Sequence, residues 1–216
     1  MVDPGRVHTP AVPEVFITAH DALERLGVVA TEWVLVHAVG SGVGTAALQL
    51  IGARGEHCVG TSRTEDKLAR ASTLGMEHGV NTGDGEFAAK ISSTTDGGAA
   101  AAIDLVGGSL FPQTLECMAS RGRVIVVGLT AGRTAQVDLS VILRKRLRIE
   151  GTVLRSRSDG EKTRIVQSFR DNVLPLLVEG RIETVVDRVF SLDEVRLAHE
   201  YLETNANFGK VVVQID

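Results

Sequence analysis

Cysteine is scarce in this chain, with only Cys58 and Cys117 among 216 residues. Two distant cysteines make neither a disulfide framework nor a CxxC pair, so a reducing, cytoplasmic setting is the expectation. Aromatics are equally sparse at 4 %, which leaves Val, Leu, Ala and Ile to fill the core. That supply suits a parallel sheet buried under helices on both faces. Clustered basic charge is also missing. The net charge is -4, and the one basic run, Arg144-Lys145-Arg146 with Arg148, reads as a solvated helix end. A nucleic-acid partner is therefore not expected. No apolar run approaches the ~20 residues of a membrane helix. Residues 1 to 13 lack the apolar stretch of a secretion signal, so no membrane partner is expected either.

What is present is an alternation of strand-like and helix-like segments. Strands are expected at Val34–Ala38, His57–Ser62, Gly79–Asn81, Ala99–Leu105, Arg123–Val127 and Leu147–Leu154. Helices are expected at Gly44–Arg54, Glu65–Leu74, Glu86–Ser92 and Leu110–Met118. A long helix is expected from Arg157 to about Glu179, with Pro175 either tolerated near its end or kinking it. Strand, helix and strand then follow at Asp187–Phe190, Asp193–Glu203 and Lys210–Ile215. The βαβα order implies right-handed crossovers between parallel strands, an α/β doubly wound (Rossmann) fold. Residues 1–10 read as a flexible N-terminal segment and 11–180 as a dinucleotide-binding domain. Residues 181–216 read as a C-terminal strand-helix-strand unit.

The sharpest signal is a buried strand running into Gly40-Ser41-Gly42-Val43-Gly44 and then an Ala-rich helix. Small residues let backbone approach a pyrophosphate, and the helix N-terminus offers free N–H groups and a favourable dipole. The spacing is not a strict G-x-G-x-x-G, since the three small positions fall on Val39, Ser41 and Gly44. Ser41 has no G-x-S-x-G frame and no base beside it, so a hydrolase reading loses to a phosphate turn. Ser62 sits roughly 20 residues after the glycine turn, where NAD-specific chains place an acid. Without a carboxylate there, Ser62, Arg63 and Lys67 can face a 2′-phosphate, which favours NADPH, although Glu65 and Asp66 lie close by. The six histidines, His8, His20, His37, His57, His78 and His199, show no metal spacing, so no metal site is expected. Asp104, at a strand end, reads as the residue that orders the Gly107-Gly108 turn, with a catalytic role as the alternative.

Several segments together resemble the zinc-free quinone oxidoreductase branch of the medium-chain dehydrogenase/reductases. They are residues 11–19, 37–47, 104–108 and 122–129, and above all Gly151-Thr152-Val153-Leu154-Arg155-Ser156-Arg157 and Asn205 to Val212. The last two look like the tumour-suppressor-inducible quinone oxidoreductases. The resemblance implies an NADPH-dependent enzyme that transfers hydride to a quinone or activated alkene, a small-molecule substrate. It implies that Ser41, Gly42, Val43 and Gly44 hold the pyrophosphate and that Ser62, Arg63 and Lys67 meet the 2′-phosphate. Gly128 and Leu129 would lie near the nicotinamide, and Phe208, Gly209 and Lys210 would close over the cofactor. No catalytic acid is identifiable. Thr82 departs from the family, which often has Tyr there, and a 2′-phosphate contact is thereby lost. Relatives carry a further catalytic domain before this one, on the order of 100 residues. The strand Lys210–Ile215, which in relatives returns to that domain, is thus expected to lack a sheet. The resemblance also implies a homodimer through the sheet edge at Leu147–Leu154. A cofactor-binding module inactive alone and an enoyl reductase of a polyketide synthase are the alternative readings.

Overall fold

The computed structural model describes residues 9–215. The expected segment 1–10 lies almost wholly outside the described residues. The first helix, α1 (Pro13–Leu26), was not anticipated as an element. Its local signals are sound: Pro13 opens it, Gly27 closes it at φ 56°, and Val15, Phe16, Ala19, Leu23 and Leu26 form one buried stripe.

The main body alternates β1 (Trp33–Val36), α2 (Gly42–Arg54), β2 (His57–Ser62), α3 (Glu65–Ser72), β3 (His78–Asn81) and α4 (Ala88–Thr94). It continues with β4 (Ala99–Asp104), α5 (Phe111–Glu116), β5 (Met118–Val126), α6 (Leu139–Lys145) and β6 (Arg148–Gly151). These six strands pair in the order β3-β2-β1-β4-β5-β6, every pair parallel. This is the doubly wound α/β sheet expected. The period of two splits each central strand between two cores. Val34, Val36, Ala101, Ile103 and Ile125 pack beneath α1 and α2, whereas Leu35, Ala102 and Val124 pack with Phe87, Ile91 and Leu115 on the other face.

Three expectations need correction. β5 starts at Met118, not Arg123: Met118 pairs with Ala99, and a register shift then absorbs Ser120-Arg121-Gly122, with Arg121 at φ 64°. The long helix after Arg157 is two, α7 (Asp159–Asn172) and α8 (Leu174–Val178), because Pro175 has no N–H to continue the ladder. The last strand, β8 (Lys210–Gln214), does not lack a sheet. It pairs in parallel with β7 (Val186–Ser191), and α9 (Val195–Glu203) forms the crossover. A single bridge, Ser41 to Gly209, ties this small sheet to the glycine turn.

Candidate functional site

The site lies where β1, β4, β5 and β6 end. Strand β1 stops because Ala38 turns to φ 50°. Ser41 then caps α2, its Oγ accepting from the Gly44 N–H at 3.0 Å. Gly44 is dictated by contact: a Cβ there would sit 2.4 Å from the Ala38 carbonyl oxygen. Gly42 is crowded from outside, where a Cβ would lie 2.9 Å from Val15 Cγ1 and 3.1 Å from Lys210 Cδ. The N–H groups of Gly42 and Val43 belong to a first turn that has no intrahelical acceptors for them. With the helix dipole they make an anion cradle. The cradle therefore fits a dinucleotide diphosphate.

The C-terminal segment completes it. The Gly209 N–H donates to the Gly40 carbonyl at 2.8 Å, and the Lys210 N–H to the Val185 carbonyl at 2.8 Å. Lys210 Nζ forms an ion pair with Glu14 at the mouth of the cradle. Phe208, expected to close over a cofactor, is placed in the core at 2 % exposure, with the Arg70 guanidinium 4.3 Å over its ring. Arg70 is in turn held by Asp187, which also accepts from the Tyr201 hydroxyl at 2.6 Å.

At the end of β2, Ser62 is buried and Arg63 exposed. Lys67 runs across Gly40 and donates to the Asn205 carbonyl at 2.6 Å. Burial, and then the neighbouring Arg63 charge, lower its ammonium below the ordinary lysine range. Glu65 is drawn to the other side, where it accepts from Asn81 Nδ2 at 2.7 Å. Buried Thr82 donates its N–H to the Ser62 carbonyl at 2.9 Å.

Beyond the glycine turn opens a cleft of about 920 Å³. Gly128 lines it beside Leu105 and Val127, and a Cβ on Gly128 would meet the Leu105 carbonyl oxygen at 2.5 Å. Leu129 is not on its wall: it is 49 % exposed and packs over Gly107. Asp104 is fully buried, and its Oδ1 accepts from the Val106 and Gly107 N–H groups, both at 2.8 Å. It orders the turn, as the strand-end reading anticipates. The cleft floor contains a contact that sequence reasoning missed. Arg157 grips Asp21 bidentately at 2.8 and 2.7 Å, and Thr152 donates to the same carboxylate at 3.1 Å. Nothing in the local sequence pairs two charges so far apart.

Elsewhere, His37 is buried between the hydroxyls of Thr61 and Thr114, at 2.8 and 2.9 Å, and burial lowers its pKa. Burial also raises the thiols of Cys58 and Cys117, the latter to about 12. Among the described residues no three His, Cys, Asp or Glu side chains converge as could hold a metal ion. None of the described helices is long and apolar enough to cross a membrane.

Comparison with known proteins addresses the family and the fold. The profile of a family described as zinc-binding dehydrogenase matches residues 42–169. A zinc-type alcohol dehydrogenase-like protein of Schizosaccharomyces pombe is 33 % identical over 181 residues, covering 81 % of this chain and 49 % of the relative. Quinone oxidoreductase-like protein 2 of Bos taurus is 28 % identical, covering 95 % of this chain and 59 % of its own length. The solved quinone oxidoreductase of Thermus thermophilus, described together with its NADPH complex, superposes with a TM-score of 0.85 at 27 % identity. That match covers 99 % of this chain and 68 % of the other. The chain thus spans about half the length of the curated relatives it matches. On the family profile, supported by fold and site, this chain belongs to the zinc-binding dehydrogenases of the medium-chain dehydrogenase/reductase superfamily.

Proposed function

We propose that the chain is the NADPH-holding half of an oxidoreductase that reduces a quinone or an activated alkene, of the zinc-free quinone oxidoreductase type. The observation that carries this reading is the glycine turn. Its backbone is cleared by Gly42 and Gly44, capped by Ser41 and clipped to the C-terminal segment, and it presents free N–H groups at a helix start. The absence of an acid at the end of β2, together with Arg63 and Lys67, supports NADPH over NADH.

Ser41, Gly42, Val43 and Gly44 hold the diphosphate. Lys210 exchanges Glu14 for a phosphate oxygen, while Ser62, Arg63 and Lys67 receive the 2′-phosphate. Gly209 fixes the turn from behind, and Phe208 supports it from the core. Gly128 leaves room for the nicotinamide end, and Leu129, off the cleft wall, packs over the neighbouring Gly107 turn. The cofactor supplies the hydride, and a solvent proton completes the reduction. The protein's contribution is position and exclusion of water. Residues 11–180 act as the cofactor domain and 181–216 as its C-terminal extension, in a cytoplasmic homodimer.

Titration of the purified chain by nucleotide fluorescence tests the reading. NADPH is expected to bind at least tenfold tighter than NADH, from charge-assisted pairing with the 2′-phosphate. Arg63→Glu with Lys67→Glu should abolish that preference and leave NADH binding nearly unchanged. Equal losses for both nucleotides would refute the 2′-phosphate assignment. A second reading is a module that holds NADPH but turns over nothing by itself. Quinone-dependent NADPH oxidation by the isolated chain would decide against it.

A further inference from the structure

One buried side chain joins the helix of the glycine turn to the segment that returns behind it. Gln49 lies on α2, 9 % exposed, on the helix face that also carries Gly42 and Thr45. Its Nε2 donates to the Thr45 carbonyl at 2.9 Å and to the Glu183 carbonyl at 3.0 Å, while its Oε1 accepts the Glu183 N–H at 2.8 Å. A side chain that takes both backbone groups of one residue acts toward it as a neighbouring strand would.

From Glu183 the chain runs straight into the clip. Val185 offers its carbonyl to the Lys210 N–H at 2.8 Å, and a Cβ on Gly209 would come within 2.4 Å of the same oxygen. The stem of Lys210 lies against Gly42, where a Cβ would be 3.1 Å from both its Cδ and its Cε. On the helix side, Thr45 Oγ1 donates to the Gly42 carbonyl at 2.9 Å. The contacts close a ring that leaves Gly42 through Thr45 and Gln49 and returns to it through Glu183, Val185 and Lys210.

We propose that Gln49 is a positioning residue for the diphosphate: by holding Glu183, it sets where Val185 places Lys210 over the cradle. This deepens the nucleotide reading and rests on it. Gln49 touches no ligand and acts through that lysine alone. Buried Ile182 anchors the same linker by packing. Packing is non-directional, whereas the amide bonds fix the register of the chain. A lysine on a fixed root meets an anion without ordering its own backbone first, so less affinity is lost on binding.

The test uses the whole chain. Gln49→Met keeps the length of the side chain and removes all three hydrogen bonds. Calorimetric titration should show inorganic diphosphate, NADH and NADPH each bound about five- to tenfold more weakly. The ratio of NADPH to NADH affinity should not change, because Arg63 and Lys67 are untouched. In a Lys210→Met background the same substitution should cost nothing further. A glutamine with a purely structural role would weaken binding by the same factor with or without Lys210. That additivity, or unaltered affinity in Gln49→Met, would overturn the proposal. Hydrogen exchange on the unsubstituted chain decides the matter should Gln49→Met not fold. Inorganic diphosphate should slow exchange of the Glu183 N–H, which faces Gln49, together with that of Lys210. Protection of Lys210 without Glu183 would overturn the proposal. If none of the three ligands binds the unsubstituted chain, the nucleotide reading fails and takes this inference with it. If they bind and the two substitutions are additive, the inference fails alone.

Discussion

Gly44 shows how much of the site one atom controls. Its Cβ position is occupied by the Ala38 carbonyl 2.4 Å away, a backbone atom that cannot rotate aside. Gly44→Ala should push α2 off the end of β1 and cost about 1–3 kcal/mol, the range for overpacking. Urea unfolding measures the stability, and NADPH titration should show the larger loss, because the displaced N–H groups are those of the cradle. At the same scale His20 reports on pH. Its Nε2 contacts Ser168 Oγ at 2.8 Å and its Nδ1 faces Arg54 at 2.9 Å. Arginine only donates, so Nδ1 accepts and the ring is neutral in the fold. Burial first, then the Arg54 charge, lower its pKa, against Glu24 and Asp21. A histidine whose folded pKa is depressed contributes stability above its unfolded pKa, near 6.5. That stability drains away as pH falls below this value. The urea midpoint should therefore drop from pH 7.5 to pH 5.5, and His20→Gln should flatten the drop. An identical slope in the variant would show that other groups carry it.

Among the elements, the union of α1 with the exit of β6 is the most consequential. Asp21 and Arg157 are 9 % and 11 % exposed, and together with Thr152 they fasten the cleft floor. Arg157→Ala leaves a buried carboxylate unpaired and should cost about 3–5 kcal/mol. Chemical denaturation with the Asp21→Asn partner in a double-mutant cycle would measure the coupling, and additive losses would contradict it. The β1–α2 unit was legible in sequence because its signals are local: an apolar run, a glycine turn, an alanine-rich helix. Phe208 was recognisable by motif but not in its place, since burial under Arg70 depends on a contact across the fold. The start of β5 is hidden in the sequence because Ser120-Arg121-Gly122 looks like a turn, although it is a bulge inside the strand. The pairing of β7 with β8 was invisible because parallel strands share no connecting turn to announce their partnership.

For the molecule as a whole, the six-stranded sheet ends at β6, whose outer edge has no strand partner among the described residues. Beside it Leu139, Leu143 and Ile149 are 73 %, 78 % and 38 % exposed. An open edge flanked by apolar side chains invites a second copy. Light scattering should give a dimer, and Leu143→Lys with Ile149→Lys should give a monomer with an unaltered far-UV spectrum. A wild-type monomer would count against edge pairing. Composition and alternation carried the fold class this far, because a doubly wound fold follows from βαβ handedness. They did not carry the ion pair of the cleft floor, which comes together only where α1 meets the exit of β6.

The bridge from Ser41 to Gly209 ties the entry of the final strand to the glycine turn, so that the strand is not an appendage to it. A chain cut back to the last crossover helix would keep its large sheet yet lose the clip behind its glycine turn. Conversely, a bound diphosphate should quieten the tail, so proteolytic nicking near residue 206 ought to slow when the nucleotide is added.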